Sequence, residues 1–487
     1  MAHTDAPTMH EILLHDTLTN RKGPIQPLHP GEIRMYTCGP TVYDFAHIGN
    51  FRTFVFQDVL RRFLRVRGYK LNHVMNLTDV DDRIILNAAA AGIKIREYTE
   101  KYIQAFLEDM KALSLESPEK IVRATDHIGD MVALIERLQQ KTYTYPSEGS
   151  IYYRISKFPS YGKLSHIDIA GIQAGARVDV DRYEKADARD FALWKAPKPG
   201  EQFWETPIGP GRPGWHIECS AMAMKYLGET LDIHTGGVDL AFPHHENEIA
   251  QSEAATGKQF VKIWLHAEHL MVEGEKMSKS LGNFYTLRDL FAKGHRPSTI
   301  RFLLLSVPYR RQLNFTTDGL QQAASSVERL RNFVARVEAG QFPAGDSAEI
   351  AARVQAREDE FDEGLSDDLN TAQALAAVFD LVRDINTAID RSEFRQANAP
   401  IVLAALRKFD EVLAVLDDND DAKLEALGFA QKRSGISDAE IEVLVHERQE
   451  ARKARNFKRG DEIRAQLAAN GIILEDTKDG GIRWKRQ

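Results

Sequence analysis

The feature that most constrains the fold is a strand-to-helix transition near the start of the chain. Residues 33–37 predict a short strand, and residues 38–50 then bring together a thiol, the turn-forming pair Gly39-Pro40 and the tetrapeptide His47-Ile48-Gly49-Asn50. Apolar residues follow at three- and four-residue spacing, which predicts one buried helix face: Phe56, Val59, Leu60, Phe63 and Leu64. Because glycine permits close ligand approach and a first helical turn attracts anions, the segment predicts a phosphate-facing corner.

The order of strands and helices predicts a Rossmann-type nucleotide-binding α/β fold with a parallel sheet. We expect residues 1–120 to form its first half and residues 211–272 its second. The second half should contain a helix around 218–226, a strand at 230–234 and a helix that opens at Pro243. Residues 121–210 interrupt this alternation of strands and helices. They contain predicted strands at 151–155 and 176–180 and predict a connective insertion.

The remaining segments predict helical and mixed units. Residues 273–317 form a separate segment that contains a lysine-rich loop, and residues 318–430 have helical periodicity with few glycines, which predicts a helical bundle. The acidic run at 417–421 is typical of a solvated linker. Residues 431–487 predict a small mixed α/β domain made of one basic helix and a short hairpin.

Composition limits the classes of partner. The 487 residues include 63 Lys and Arg against 71 Asp and Glu, so the whole chain is a poor non-specific polyanion binder. Residues 447–487 hold 11 basic and 7 acidic side chains, so a polyanion would bind there. No apolar run approaches the roughly 20 residues of a membrane span, and only two cysteines are present, so we expect a cytoplasmic protein without a disulfide framework.

Four dispersed side chains could hold a metal. His244 and Glu248 are four residues apart and project from one helix face. Together with Cys38 and Cys219 they offer two thiolates, an imidazole and a carboxylate, a set that suits zinc. The spacing leaves open a surface His/Glu pair and two core cysteines. The pair His245-Glu246 lacks the second histidine of a His-Glu-x-x-His hydrolase, so no peptidase site is predicted.

Two loops offer groups for a nucleotide. The segment 276–280 lies between two glycines, where Lys276 and Lys279 could reach a phosphate, although a solvated lysine loop is the alternative. Asp239 follows a strand and the Gly236-Gly237 turn, where a carboxylate could accept hydrogen bonds from ribose hydroxyls.

These motifs resemble a known family. The tetrapeptide at 47–50 resembles the HIGH motif, and KMSKS at 276–280 matches the KMSKS motif, of class I aminoacyl-tRNA synthetases. Around them, CGPTVYD at 38–44, NLTDVDD at 76–82, GWHIECS at 214–220 and FPHHENE at 242–248 resemble the cysteinyl-tRNA synthetase family in particular. The resemblance runs from about residue 11 to the C-terminus.

The resemblance implies a residue-by-residue assignment. Cys38, Cys219, His244 and Glu248 would hold one zinc ion per chain, and Thr78, Trp215 and His234 would surround the bound amino acid. His47, Asn50, Lys276 and Lys279 would be catalytic, and ATP with Mg²⁺ would contact Gly49, Gly236, Gly237, Asp239 and Lys279. Asn50 departs from the fourth HIGH position, because an amide can donate a hydrogen bond but cannot carry a positive charge.

The resemblance also implies the reaction and its partners. L-cysteine and ATP would give cysteinyl adenylate, and the cysteinyl group would pass to the 3′-terminal ribose of tRNA(Cys), with zinc selecting the thiol against serine. The anticodon would contact Arg452, Phe457, Asp461, Asp476 and Trp484. We expect a monomer. The alternatives are a cysteine ligase of mycothiol synthesis, which should not need the C-terminal segment, and a catalytically silent RNA-binding relative, against which the intact motifs argue.

Overall fold

A computed structural model describes residues 10–167, 190–429, 438–470, 472–476 and 482–486. The chain divides into a larger unit that ends at Asp420 and a smaller unit that begins at Asp421. The strands of the described residues are β1 (Leu13–Asp16), β2 (Arg21–Pro24), β3 (Glu32–Thr37), β4 (Lys70–Leu77), β5 (Lys120–Arg123), β6 (Thr144–Ser147), β7 (Ser150–Tyr153), β8 (Phe191–Lys195), β9 (Arg212–Pro213), β10 (Leu231–Gly237), β11 (Val261–Ala267), β12 (Leu270–Val272), β13 (Glu275–Lys276), β14 (Leu313–Phe315), β15 (Ile472–Asp476) and β16 (Ile482–Arg486).

The helices alternate with the strands in the first half of the chain and dominate the second. They are α1 (Ile48–Val66), α2 (Asp82–Ala91), α3 (Ile95–Ala112), α4 (Ile128–Gln140), α5 (Trp215–Leu227), α6 (Glu246–Thr256), α7 (Leu287–Ala292), α8 (Pro297–Leu305), α9 (Thr317–Ala339), α10 (Ala348–Ser366), α11 (Thr371–Asp390), α12 (Ala399–Leu413), α13 (Asp420–Ala426), α14 (Asp438–Lys453) and α15 (Phe457–Ala469). Among the helices of the described residues, none combines the length and the apolar character needed to cross a membrane.

The central sheet of the larger unit has five parallel strands in the order β11-β10-β3-β4-β5. This confirms the predicted Rossmann-type α/β class. The two halves of the sheet meet where β3 pairs with β10, and Thr37 lies opposite Thr235. At such a switch point the carboxyl ends of the strands open a crevice for ligands. The residues that follow β3 and those that end β10 therefore face a common space.

Helix α1 packs the predicted face into the core. Each of its five predicted positions, from Phe56 to Leu64, is at most 4% exposed. Beside this face, Asp58 forms a buried ion pair with Arg301 of α8 at 2.6 Å, and Arg301 also donates to the backbone oxygen of Leu413 at the end of α12. Helix α1, which begins within the tetrapeptide at 47–50, is thus fixed to the helical part of the larger unit.

The insertion contains an antiparallel sheet in the order β6-β7-β8-β9. Strand β7 confirms the strand predicted from residue 151, whereas the strand predicted at 176–180 lies outside the described residues. After the insertion, regular helix begins at Glu246 and not at Pro243 as predicted. Phe242 is extended, with φ −139° and ψ 132°, and the next three residues form a wider turn before α6 starts.

The acidic run at 417–421 was predicted to be a solvated linker, and this is wrong at Asp420. Its side chain is fully buried, accepts a hydrogen bond from the Ser298 backbone N–H at 3.0 Å and pairs with Arg331 at 3.1 Å. A carboxylate can be buried here because a cation and an N–H group both satisfy it.

The smaller unit has its own apolar core, formed by buried residues of two helices and a strand: Ile441, Val445, Ile463, Leu467, Ile472 and Leu474. The predicted hairpin is present as the antiparallel pair β15 and β16. The single basic helix that we predicted is instead two helices, α14 and α15. Arg455 between them has a positive φ of 59°, and the Asn456 side chain caps α15 by accepting from the Arg459 N–H.

Candidate active site

The end of β3 places Cys38 directly beside β10. Its backbone N–H donates to the Thr235 oxygen at 3.4 Å, and its side chain is only 7% exposed. The next residue, Gly39, donates to the Asn76 side chain at 3.0 Å. A Cβ at position 39 would lie 1.8 Å from the Asn76 backbone oxygen, so only glycine lets the chain turn here.

The four residues that the sequence suggested as metal ligands converge in the crevice. The Sγ atoms of Cys38 and Cys219 are 3.7 Å apart, and Cys38 Sγ is 3.8 Å from Glu248 Oε1. His244 Nε2 lies 3.1 Å from Glu248 Oε1 and also hydrogen-bonds with Cys219. All four side chains are buried. The residue after β3, one residue of α5, one of the turn before α6 and one of α6 thus form one compact donor cluster.

A fifth donor, His245, joins this cluster. Its Nε2 lies 3.4 Å from Cys38 Sγ, and Cys38, His244, His245 and Glu248 offer ligand atoms within 4.8 Å of one another. The other ring nitrogen of His245 is 2.8 Å from His266 Nε2. Sequence reasoning considered His245 only as part of a peptidase motif and missed this contact, although its spacing of three residues from Glu248 was a usable signal.

The charges of the cluster are unbalanced. Burial favours the neutral forms, but hydrogen bonds with Cys38 and His244 lower the pKa of the Cys219 thiol to about 6. Burial also favours the neutral forms of Glu248 and His244. Nevertheless, His234 and His244 lower the pKa of Glu248 to about 2. Cys219 and Glu248 raise the pKa of His244 to about 10. Burial raises the pKa of Cys38. One imidazolium therefore faces a thiolate and a carboxylate, and the cluster favours a further cation.

The three side chains predicted to surround the amino acid, Thr78, Trp215 and His234, lie next to this cluster or to α5. The Trp215 ring stacks on His244 with centroids 4.3 Å apart, and His234 Nε2 lies 3.0 Å from Glu248 Oε2. Thr78 donates to Glu218 Oε2 at 3.0 Å. Glu218 is fully buried and its other oxygen has no hydrogen-bond partner, and no sequence pattern had singled this residue out.

The tetrapeptide at 47–50 forms a reciprocal cap on α1. The Asn50 N–H donates to His47 Nδ1 at 3.2 Å, and the Asn50 side-chain oxygen accepts from the His47 N–H at 3.0 Å. Because Nδ1 accepts, the proton of a neutral His47 lies on Nε2 and is available as a donor. Burial lowers the pKa of His47 to about 4, although nearby Asp239 acts in the opposite direction.

The lysine-rich loop is attached to the start of α1. Lys279 pairs with Asp44 at 2.6 Å, and its ammonium lies 5.1 Å from the centre of the Phe284 ring. The backbone of Ile48 donates to the Tyr285 oxygen at 3.0 Å. Lys276 ends β13 and is exposed. Gly49 lies close to this loop, since a Cβ there would be 3.3 Å from Met277.

The Gly236-Gly237 turn at the end of β10 leaves no room for side chains. A Cβ on Gly236 would lie 2.7 Å from the His245 ring, and one on Gly237 would lie 2.4 Å from the Asp239 carboxylate. The structure therefore brings the glycine turn, Asp239 and His47 together beside the donor cluster.

The five suggested anticodon residues all belong to the smaller unit. Phe457, which is 56% exposed, and Asp461 lie on α15. Arg452 is near the end of α14, where a Cβ on Gly460 would lie 3.2 Å from its side chain. Trp484 packs on the core and donates to Glu442 at 2.7 Å. Asp476 ends β15, and its side chain is outside the described part of the chain.

Three segments match known protein families. Residues 24–325 match the family described as tRNA synthetases class I (C) catalytic domain. Residues 360–417 match the DALR domain, and residues 437–484 match the cysteinyl-tRNA ligase anticodon binding domain.

Similar proteins cover the chain almost completely. The cysteine–tRNA ligase of Solibacter usitatus is 59% identical over 98% of this chain and 100% of its own length, and that of Koribacter versatilis is 57% identical over 97% and 99%. Among solved structures, Mycobacterium tuberculosis methionyl-tRNA synthetase in complex with methionyl-adenylate has a TM-score of 0.57 and 16% identity, over 82% of this chain and 91% of that one. At this identity the likeness concerns the fold alone.

Proposed function

This chain belongs to the cysteine–tRNA ligase family, and on that premise we propose that it activates L-cysteine with ATP and transfers the cysteinyl group to tRNA(Cys). The observation that carries the proposal is the match to both a catalytic and an anticodon-binding segment of one family. A cysteine ligase that acts on an amino sugar would not need the second segment. The donor cluster, His47 and Lys276 are all present, which argues against a silent relative.

We propose that Cys38, Cys219, His244 and Glu248 hold one zinc ion. Two sulfurs, an imidazole nitrogen and a carboxylate oxygen are ligands that zinc accepts, and each lies within 4 Å of at least one other member of the set. Their net negative charge favours a cation. When bound, zinc would stabilise the thiolate of a cysteine substrate far better than the alcohol of serine, which a pocket of shape alone rejects by only about 100-fold.

The residues of the chain would hold the two substrates in line. Thr78, Trp215 and His234 would surround the amino acid next to the donor cluster. ATP with Mg²⁺ would lie along the Gly236-Gly237 turn and Asp239, with its phosphates toward the start of α1. This arrangement agrees with the rule that nucleotides bind at the switch point of a parallel sheet.

In the first step, a carboxylate oxygen of cysteine would attack the α-phosphorus of ATP while the bond to pyrophosphate breaks. Negative charge then grows on the phosphoryl oxygens. His47, which is neutral and presents Nε2–H, would donate a hydrogen bond, and Lys276 and Lys279 would neutralise the leaving group. In the second step, a hydroxyl of the 3′-terminal ribose would attack the carbonyl carbon and AMP would leave.

Two assays test this function. Exchange of pyrophosphate into ATP should require cysteine but not tRNA, and a tRNA(Cys) transcript should become charged when cysteine and ATP are present. Serine in place of cysteine should support neither reaction at a comparable rate. Exchange without charging, together with consumption of an amino sugar, would instead establish the other ligase. The expectations of a monomer and of a cytoplasmic location stay predictions, and sedimentation of the purified protein checks the first.

The zinc assignment predicts that Cys219→Ser loses both bound metal and cysteine-dependent exchange. A hydroxyl is a poorer zinc ligand than a thiolate, and the substitution changes little volume. Metal content by mass spectrometry and the exchange rate are the measurements. Met222→Leu, also buried on α5, is the matched control and should retain both.

The variant His245→Asn separates the two possible ligand sets. We expect it to retain the metal, because His245 already pairs with His266. Full metal content in Cys219→Ser, or its loss in His245→Asn alone, would show that His245 completes the site in place of Cys219.

A further inference from the structure

A second cavity lies beside the lysine-rich loop, outside the donor cluster. Its volume is about 330 Å³, and its lining includes three tyrosines, an exposed leucine and two cations: Tyr43, Arg83, Leu86, Tyr98, Tyr102 and Lys279. We call it the tyrosine pocket. None of the roles proposed above uses its tyrosines, Arg83 or Leu86.

Hydrogen bonds position the rings of the tyrosine pocket. The Tyr98 hydroxyl donates to the Tyr43 backbone oxygen at 2.9 Å and lies 3.5 Å from the Tyr102 hydroxyl. Asn87 donates to the same Tyr98 hydroxyl at 3.0 Å. The half-buried rings of Tyr43 and Tyr98 are therefore held in place beside Tyr102, which is only 9% exposed.

Two cations lie over these rings, and one carboxylate, Asp44, also lines the pocket. The Arg83 guanidinium lies 5.0 Å from the centre of the Tyr43 ring, and the Lys101 ammonium lies 4.5 Å from that of Tyr102. Both cations belong to exposed side chains. Leu86 is 63% exposed and provides an apolar edge beside the aromatic rings. Such a combination of aromatic faces and cations is typical of sites for single-stranded nucleic acid.

The position of the tyrosine pocket restricts its ligand. Lys279 of the lysine-rich loop lines the pocket, and it pairs with Asp44, which also lines it and precedes α1. Helix α2, which carries Arg83 and Leu86, is attached at Asp82 to Lys195 and Arg212 of the insertion's sheet. The pocket is therefore linked to the lysine-rich loop on one side and, through α2, to the insertion's sheet on the other.

We propose that the tyrosine pocket binds an unpaired nucleotide of the 3′ end of the tRNA. The proposal rests on the proposed function, because that end must approach the adenylate to be charged. The base would stack on the tyrosine rings and contact Leu86, and Arg83 and Lys101 would face the phosphates on either side. The binding involves no covalent step.

The experiment compares the binding of two RNAs, an intact tRNA(Cys) transcript and one that lacks its unpaired 3′ nucleotides. The variants are Arg83→Ala, at an exposed position, and Tyr102→Leu, which removes a ring but stays apolar. Lys94→Ala removes a nearby exposed cation that does not line the pocket and serves as the control. Thermal unfolding of each variant monitors folding, and Leu86→Ser is a further exposed substitution that should not disturb it.

We expect the variants to bind intact tRNA about tenfold more weakly, since one stacked base contributes about 1–3 kcal/mol. Binding of the truncated tRNA, and cysteine-dependent exchange without tRNA, should change less than about twofold. Equal weakening for both RNAs would overturn the proposal, because the pocket would then contact another part of the tRNA. A raised KM for ATP in exchange would also overturn it, in favour of a nucleotide triphosphate as the ligand. Unchanged binding of the intact tRNA would exclude the pocket altogether.

The proposed function has a test of its own, apart from the binding comparison: it is wrong if the wild-type protein does not charge tRNA. The binding comparison does not depend on charging, so it still decides the role of the tyrosine pocket. A wild-type protein that fails to bind intact tRNA would overturn both proposals.

Discussion

At the scale of single residues, Asn50 determines how His47 is presented. The two residues cap α1 reciprocally, so the His47 ring is fixed with Nδ1 toward the helix and Nε2 available. A histidine at position 50 could carry a positive charge. The shorter Asn50 side chain instead accepts a hydrogen bond from the His47 N–H. At the position where the HIGH pattern has histidine, Asn50 therefore has a structural role in capping α1.

We predict that Asn50→Ala destabilises the protein by about 1 kcal/mol, the usual contribution of a helix cap, and slows exchange. Asn50→Asp keeps the acceptor oxygen and should retain the stability. It should still slow exchange, since a carboxylate would repel the phosphates. Urea unfolding and exchange rates measure both effects. Wild-type stability in the alanine variant would contradict the capping role.

The lowered pKa of His47 predicts a pH dependence of stability. An ordinary imidazole titrates near 6.5, whereas burial lowers the pKa of His47 to about 4. Between these values the unfolded chain binds more protons than the folded one, so the stability present above pH 6.5 is lost as the pH falls. From pH 7 to pH 5, wild type should lose about 2 kcal/mol more than His47→Gln.

Urea unfolding at the two pH values measures this difference. His269→Gln, at an exposed position, is the control and should lose as much stability as wild type. The same loss in wild type and His47→Gln would show that His47 is not responsible.

Sequence reasoning could name the side chains that converge at the donor cluster but not their contacts. Cys38, Cys219, His244 and Glu248 were identifiable by donor chemistry and by resemblance. The approach of His245 to Cys38 depends on how the turn before α6 meets the end of β10. The burial of Glu218 depends on the packing of α5. Such pairings arise only when distant segments fold together, so local spacing could not predict them.

At the scale of elements, α1 connects the active site to the helical part of the larger unit. It begins at His47, and eight residues beyond Asn50 its Asp58 accepts from both Arg301 and Arg62. Arg301 is fully buried and donates further to the backbone of Leu413 and Leu113. A displacement of α8 or α12 would therefore act directly on the helix that presents His47.

We predict that Asp58→Ala destabilises the larger unit by about 3–5 kcal/mol, because Arg301 would keep a buried charge without its carboxylate. Adding Arg301→Met to that variant should restore part of the loss. Asp390→Ala breaks an exposed pair with Arg336 and should cost less than about 1 kcal/mol. Urea unfolding provides the comparison. Equal losses for Asp58→Ala and Asp390→Ala would contradict a structural role for the buried pair.

Most elements with clear periodicity were predictable, and the exceptions have local causes. The buried face of α1, strands β3 and β10 and the terminal hairpin follow from apolar spacing, whereas β5 and β11 were not predicted. The break between α14 and α15 depends on the positive φ of Arg455, a conformation that no pattern of apolar residues reveals. The linker at 417–421 was misjudged because the partners of Asp420 lie about 90 and 120 residues away in the sequence.

At the scale of the whole molecule, charge is unevenly distributed. The chain has a formal net charge of −8, while residues 447–487 carry an excess of four basic side chains. A large polyanion would therefore be repelled by most of the chain and attracted locally. The tRNA must be selected by a limited number of contacts.

This distribution predicts a strong salt dependence of charging but not of cysteine activation. With about four phosphate contacts, raising the salt from about 50 to 200 mM should weaken tRNA binding by on the order of 100-fold. Exchange without tRNA should change less than about twofold. Filter binding and exchange at the two concentrations measure these effects. A salt effect of equal size on exchange would mean that the charges act on ATP.

The 3.7 Å distance between the two cysteine sulfurs also bears on the conformational entropy of the unfolded chain. Cys38 and Cys219 are 181 residues apart in sequence, so an ion held by both would act as a reversible cross-link that closes a very long loop. A cross-link of that span reduces the entropy of the unfolded ensemble by an amount equivalent to about 5 kcal/mol. Because neither half of the crevice contains the full ligand set, metal uptake would mark the completion of folding and not its start.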